Sequence, residues 1–118
     1  MIALISWGRN HGPAPDADVN VDATNFTDPP PAIRQLDGRH PDIQQIVLGQ
    51  DPVAVDLIHM AGDFAVALTQ QLDRVPVVAI GCNHGYHRSV AAVEVIAAYL
   101  DAVGVVVDVF HRDLGEGQ

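Results

Sequence analysis

The chain has 118 residues, 48% of them hydrophobic, and carries fifteen acidic side chains against six basic ones for a net charge of −9. That is enough chain for one domain around one core and too little for two, so residues 1–118 read as a single domain. The acidic balance disfavours nucleic acid, no apolar run approaches the ~20 residues of a membrane span, and a lone cysteine precludes an internal disulfide or a cysteine-rich zinc site.

In chain order, Ile2 to Ser6 reads as a buried strand ending at Gly8, followed by a Gly/Pro/Asn-rich loop through Pro15. Asp18 to Ala23 alternates Val19 and Val21 with Asp18, Asn20 and Asp22, the period of a strand with one polar face. Asp28 to Pro31 is stiff and extended, and Pro41 opens a short helix ending near Gly49. Asp51-Pro52 reads as an N-cap with proline at the first helical position of a helix running to about Asp73. One face of that helix carries Val53, Leu57, Met60, Phe64 and Ala67 or Leu68, apolar surface for core packing and for a dimer contact. Val75 to Ile80, nearly all β-branched, suits a central parallel strand. A last helix with a stripe of Val93, Ile96, Ala97, Leu100 and Val103 stops at Gly104, and Val105 to Phe110 forms a fourth strand.

The expected fold is an α/β domain of three layers, a central, mainly parallel sheet of about four strands flanked by helices. Right-handed crossovers bring Ser6 to His11, Asp22 to Asn25, the segment after Ile80 and His111-Arg112 to one rim, where ligands of open α/β sheets collect.

That segment, Cys82-Asn-His-Gly-Tyr-His-Arg-Ser89, joins a strand to a helix. Such a junction aims unpaired backbone N–H groups and the positive end of a helix dipole at one point, favouring an anion. Gly85 permits close backbone approach and Arg88 supplies a bidentate charged fork. The spacing Cys-x-x-Gly-x-x-Arg-Ser also resembles the cysteine phosphatase loop, which would make Cys82 the nucleophile and Arg88 the phosphate holder. The general acid would come from Asp22, Asp28, Asp37 or Asp51, with no motif to choose among them. A third reading is structural, with Cys82 an inert core thiol. His84 and His87 lie three apart in a loop without a carboxylate partner in the motif, and no metal site is expected there.

A longer match covers residues 6 to about 112. Gly81-Cys-Asn-His-Gly-Tyr-His-Arg-Ser-Val90 resembles the Gly-Cys-Thr-Gly-Gly-x-His-Arg-Ser-Val signature in the C-terminal domain of the RNase adapter protein RapZ family. Ser6-Trp-Gly-Arg-Asn-His-Gly12 and Pro15-Asp-Ala-Asp-Val-Asn-Val-Asp22 are similar to that family's Ser-Phe-Gly-Phe-Lys-Tyr-Gly and Pro-x-Asp-Ala-Asp-x-x-x-Asp. The chain has Asn10 for the family's lysine, Asn83-His84 for its Thr-Gly, Asp22-Ala-Thr24 for its Asp-x-Arg, and an acidic end, Asp113 to Gln118, for its basic tail.

The resemblance implies a regulatory sensor or adaptor domain with a glucosamine-6-phosphate-like ligand, and relatives that bind small regulatory RNA. By position, Cys82, Asn83, His84, Gly85, His87, Arg88 and Ser89 would line a phosphate pocket, with Ser6 and Gly8 from the first strand and Asp22 from the second. No Gly-x-x-x-x-Gly-Lys-Ser/Thr motif is present, and without any lysine there is no Walker lysine. The expectation is recognition of a small phosphate-bearing metabolite without turnover, with no cofactor. RNA binding ranks below it, and a protein partner or a homo-oligomer is a further expectation. The opening residues lack a basic start and a cleavage site, which fits a cytoplasmic protein.

Overall fold

The computed structural model describes residues 1–49 and 51–115; the end of the acidic tail, Glu116 to Gln118, lies outside them. The elements in order are β1 (Ile2–Gly8), β2 (Val19–Asp22), α1 (Pro41–Leu48), α2 (Pro52–Leu68), β3 (Val77–Cys82), α3 (Arg88–Ala102) and β4 (Val107–His111), with single 3-10 turns at Arg9–His11 and Pro31–Ile33. The four strands form one parallel sheet in the order β2-β3-β1-β4, flanked by the three helices, as the pattern of the chain predicts.

Local chemistry sets the helix starts. His40 caps α1 by accepting from the Asp42 amide at 3.1 Å, and Asp51 caps α2 by accepting from the amides of Val53 and Ala54 at 3.1 and 3.3 Å. Each cap precedes a proline, whose missing N–H costs nothing in the first turn. The third strand begins two residues later than Val75, because pairing starts where the Val77 amide donates to the Asp18 carboxylate at 2.8 Å. It runs on through Cys82, which pairs in register with Gly8. Cys82 is therefore the last residue of the strand, and the loop proper starts at Asn83.

The core lies between the sheet and the helices. Ile2 and Leu4 of β1, Val78 and Ile80 of β3, and Val93, Ile96 and Leu100 of α3 are all fully buried. The crossovers β2 to β3 and β3 to β4 both step toward β4, so right-handedness places their helices on the same face. The β1 to β2 connection steps the other way, and the same hand carries residues 9–18 across the opposite face. Ala79, on the side of β3 away from the helical core, is also fully buried.

The face of α2 that looked ready for the core points outward. Val53, Leu57, Met60 and Phe64 do share one face, but all four are exposed, while Ala54, Ile58, Ala61, Gly62 and Ala65 face inward. Small residues win the inner face because α2 lies close to α3, with the Gly62 backbone against the ring of Tyr99. Helix α2 also stops at Leu68, where the Thr69 hydroxyl turns back on the Val66 carbonyl at 2.6 Å.

Candidate functional site

The carboxyl ends of β1, β2, β3 and β4 meet the amino end of α3 at one rim. The Asn83–His87 loop is held against β1 by close backbone packing. Gly85 has φ +69°, and a side chain there would sit 2.8 Å from the Gly8 nitrogen and 3.0 Å from the Trp7 carbonyl carbon. The Asn10 amide donates to the Asn83 carbonyl at 3.0 Å, and its side-chain nitrogen lies 3.3 Å from Nδ1 of His84. Two positions that depart from the RapZ pattern are thus in contact with one another.

On the other side, the segment 34–39 buttresses the loop. The Gly38 amide donates to the Tyr86 carbonyl at 2.9 Å, and the Tyr86 hydroxyl donates to the Gln35 carbonyl at 2.8 Å. His87 Nε2 lies 2.7 Å from the Arg34 carbonyl, which can only accept, so this nitrogen carries the proton. With the loop fixed this way, α3 begins without a side-chain cap. Among the described residues, the amides of His87, Arg88 and Ser89 donate to no protein group.

Burial divides the predicted site residues. Asn83, His84 and Asp22 are exposed, His87 and Arg88 are half-buried, and Ser6, Gly8, Cys82, Gly85 and Ser89 are buried. Cys82 is 2% exposed; its thiol donates to Ser89 Oγ at 3.2 Å and accepts from the Gly85 amide at 3.3 Å. The thiol therefore secures the loop from below. Arg88, its side chain 14% exposed, donates to the Thr24 carbonyl and lies 3.8 Å from Asp28 Oδ1, so it ties α3 to the end of β2.

Ser6 sits under the rim in a relay of its own. Its hydroxyl lies 2.7 Å from His111 Nδ1, and His111 Nε2 lies 3.0 Å from Glu94 Oε2. The carboxylate fixes the proton on Nε2, so Nδ1 accepts from Ser6. Nearby, Asp113 accepts from the Gly8 amide at 2.7 Å and from Arg112 at 2.8 and 3.0 Å. Burial raises the Asp113 carboxyl, yet these hydrogen bonds outweigh it and leave it lowered. Arg112 also bonds the Pro13 carbonyl and stands 5.6 Å above the Trp7 ring, which packs on Gly81 with its indole N–H buried and unpaired.

Arg9, absent from the predicted set, faces the rim: it pairs with Asp22 at 3.2 Å, both half-exposed. Its place just past β1 was the signal that marked it. Asp22 is lowered chiefly by the Thr24 hydroxyl and then its amide, with Arg9 adding to the effect. Thr24, expected at the rim, and Asp28, named only as a candidate general acid, instead hold Asp22 and Arg88 in place.

These features define a small parallel α/β domain whose strand ends, arginines and uncapped helix start converge on one rim. The chain matches the RapZ C-terminal domain over residues 1–115 and belongs to that family. It is 33% identical over 121 residues to a "Nucleotide-binding protein" of Trichlorobacter lovleyi, covering 98% of this chain and 42% of that protein. Proteins of the same name from Mycolicibacterium smegmatis and Clavibacter michiganensis are each 36% identical, over 97% of this chain and 41% of theirs. The chain thus spans about two fifths of the length of the curated relatives it matches.

Proposed function

We propose that this domain is a regulatory binding module that takes a small phosphate-bearing metabolite, of the amino-sugar phosphate class, at the rim between β1, β2 and α3. The observation that carries the reading is the uncapped start of α3, whose amides of His87, Arg88 and Ser89 are unspent at a rim that also holds Arg9, Asn83 and His84. Phosphate oxygens take the amides and an arginine, while Asp22 takes an amine or sugar hydroxyl. Arg88 acts by holding the β2 end against α3.

Recognition without turnover is supported by the burial of the thiol and hydroxyl that flank the loop, Cys82 at 2% exposed and Ser89 at 0%, which bond each other in place of a ligand. A small anion is favoured over RNA because each of the six arginines already lies within 3.8 Å of an aspartate. That leaves no basic surface to track a polynucleotide backbone.

The test is thermal unfolding of wild type, Arg9→Ala and Asp22→Asn with glucosamine-6-phosphate, glucose-6-phosphate and inorganic phosphate. A ligand at about 100 times its Kd stabilises by about 2.7 kcal/mol, worth roughly 10 °C in a domain this size. The expected result is a shift in wild type that shrinks in Arg9→Ala, with the preference for the amino sugar lost in Asp22→Asn. No shift with any of the three would sink the proposal.

A further inference from the structure

Helix α2 carries its bulk on the wrong side for its own domain. Its inner face is built from Ala54, Ile58, Ala61, Gly62 and Ala65, while Val53, Leu57, Met60 and Phe64 face solvent at 66, 42, 66 and 55% exposure. Steps of four, three and four residues put these side chains in one stripe about 17 Å long, the seam spacing of paired helices. Single exposed apolar residues are ordinary on a protein surface; four in register form a patch, and patches mark interaction sites.

Charge indicates what covers it. Asp56 and Asp63 stand one residue before Leu57 and Phe64, along one edge of the stripe, and α2 contains no lysine or arginine. Asp63 is held in place by the Tyr99 hydroxyl at 2.6 Å. A second copy of this chain would bring the same acids, with no lysine or arginine on its own α2 to meet them. In an antiparallel pair about a two-fold axis, the acidic edges of the two copies would meet.

We propose that this stripe is the docking site for an amphipathic helix of another protein, one with aliphatic seam residues and Lys or Arg along the edge that faces Asp56 and Asp63. The inference stands apart from the phosphate reading, since α2 contributes nothing to the rim. The probe is a labelled synthetic helix with leucine at the seam and lysine on the flanks, compared by fluorescence anisotropy with the same helix carrying glutamate instead. The basic helix is expected to bind at least about tenfold tighter, and Asp56→Asn with Asp63→Asn to erase that preference. Phe64→Asp and the milder Leu57→Gln, both at exposed positions, are expected to weaken it, with circular dichroism showing the fold intact.

The Phe64→Asp arm is decisive, because unspecific attraction to an acidic domain would grow with the added charge. Undiminished binding in that variant overturns the proposal, as does equal binding of the two helices. It is also overturned if sedimentation finds a dimer that Phe64→Asp splits, which would make a second copy the occupant.

Discussion

Replacing Gly85 by alanine tests whether the loop is held by backbone contact. At φ +69° an L side chain costs about 1–2 kcal/mol. The new methyl would also sit 2.8 Å from the Gly8 nitrogen, 3.0 Å from the Trp7 carbonyl carbon and 3.1 Å from Asp113 Cβ. The first two belong to β1 and cannot rotate aside, so relief requires a shift of loop or strand of the kind that costs about 1–3 kcal/mol. Against this, alanine stiffens the unfolded chain by about 0.4–1 kcal/mol. The net is a loss of about 3 kcal/mol, or roughly 12 °C in Tm. Gly104→Ala is the control, since Gly104 also has positive φ, +83°, yet a side chain there meets nothing within 4 Å. It should lose only about 1 kcal/mol. Urea unfolding at constant m measures both. Equal losses in the two variants would refute the idea that Gly85 is fixed by its contact with β1.

Other expectations follow from the same geometry. Ser6→Ala removes the hydroxyl that His111 Nδ1 accepts from in a buried setting, and should cost about 1–2 kcal/mol in urea unfolding, with Glu94→Gln, half-exposed, costing less. Arg88→Ala leaves the Thr24 carbonyl without its donor and should cost about 1–3 kcal/mol with no ligand present, so its effect on binding must be read against its own unliganded Tm. The carboxyl of Asp18 is held down to about 2, first by the hydrogen bond from Arg74 and then by the Val77 amide; those of Asp22 and Asp37 are also lowered, chiefly by Thr24 and by Arg39. Depressed folded-state values give stability that is fully present above the unfolded carboxylate range near 4 and lost as pH falls toward 2. The urea midpoint should therefore be flat between pH 7 and 5 and drop below 4, less steeply in Asp18→Asn; an unchanged slope in that variant would remove Asp18 from the account.

Much of the fold was legible because β1, β3 and α3 carry strong periodic patterns and because proline follows an acceptor at the starts of α1 and α2. The meeting of Ser6–His11, Asp22–Asn25, Cys82–Ser89 and His111-Arg112 followed from parallel topology alone. What the chain could not announce was which of two apolar faces of α2 is buried: amphipathicity marks large residues, whereas packing against Tyr99 and Leu100 rewards small ones. The motif likewise named Cys82 and Arg88 without saying where they point. Their roles depend on Ser89, Thr24 and Asp28, which reach them through hydrogen bonds that no spacing encodes. The Ser6–His111–Glu94 relay was hidden for the same reason, since its members lie far apart in the chain.

Trp7 is the chain's one tryptophan, and it is lodged between Gly81, the cation of Arg112 and the backbone that touches Gly85. Its position makes it a native optical gauge of the rim. Anything that lifts the loop from β1 or draws Arg112 away changes the charge beside the indole, and the emission spectrum with it. Excited at the red edge of the indole band, where Tyr86 and Tyr99 do not absorb, Trp7 would report a ligand of the proposed kind in the unlabelled protein.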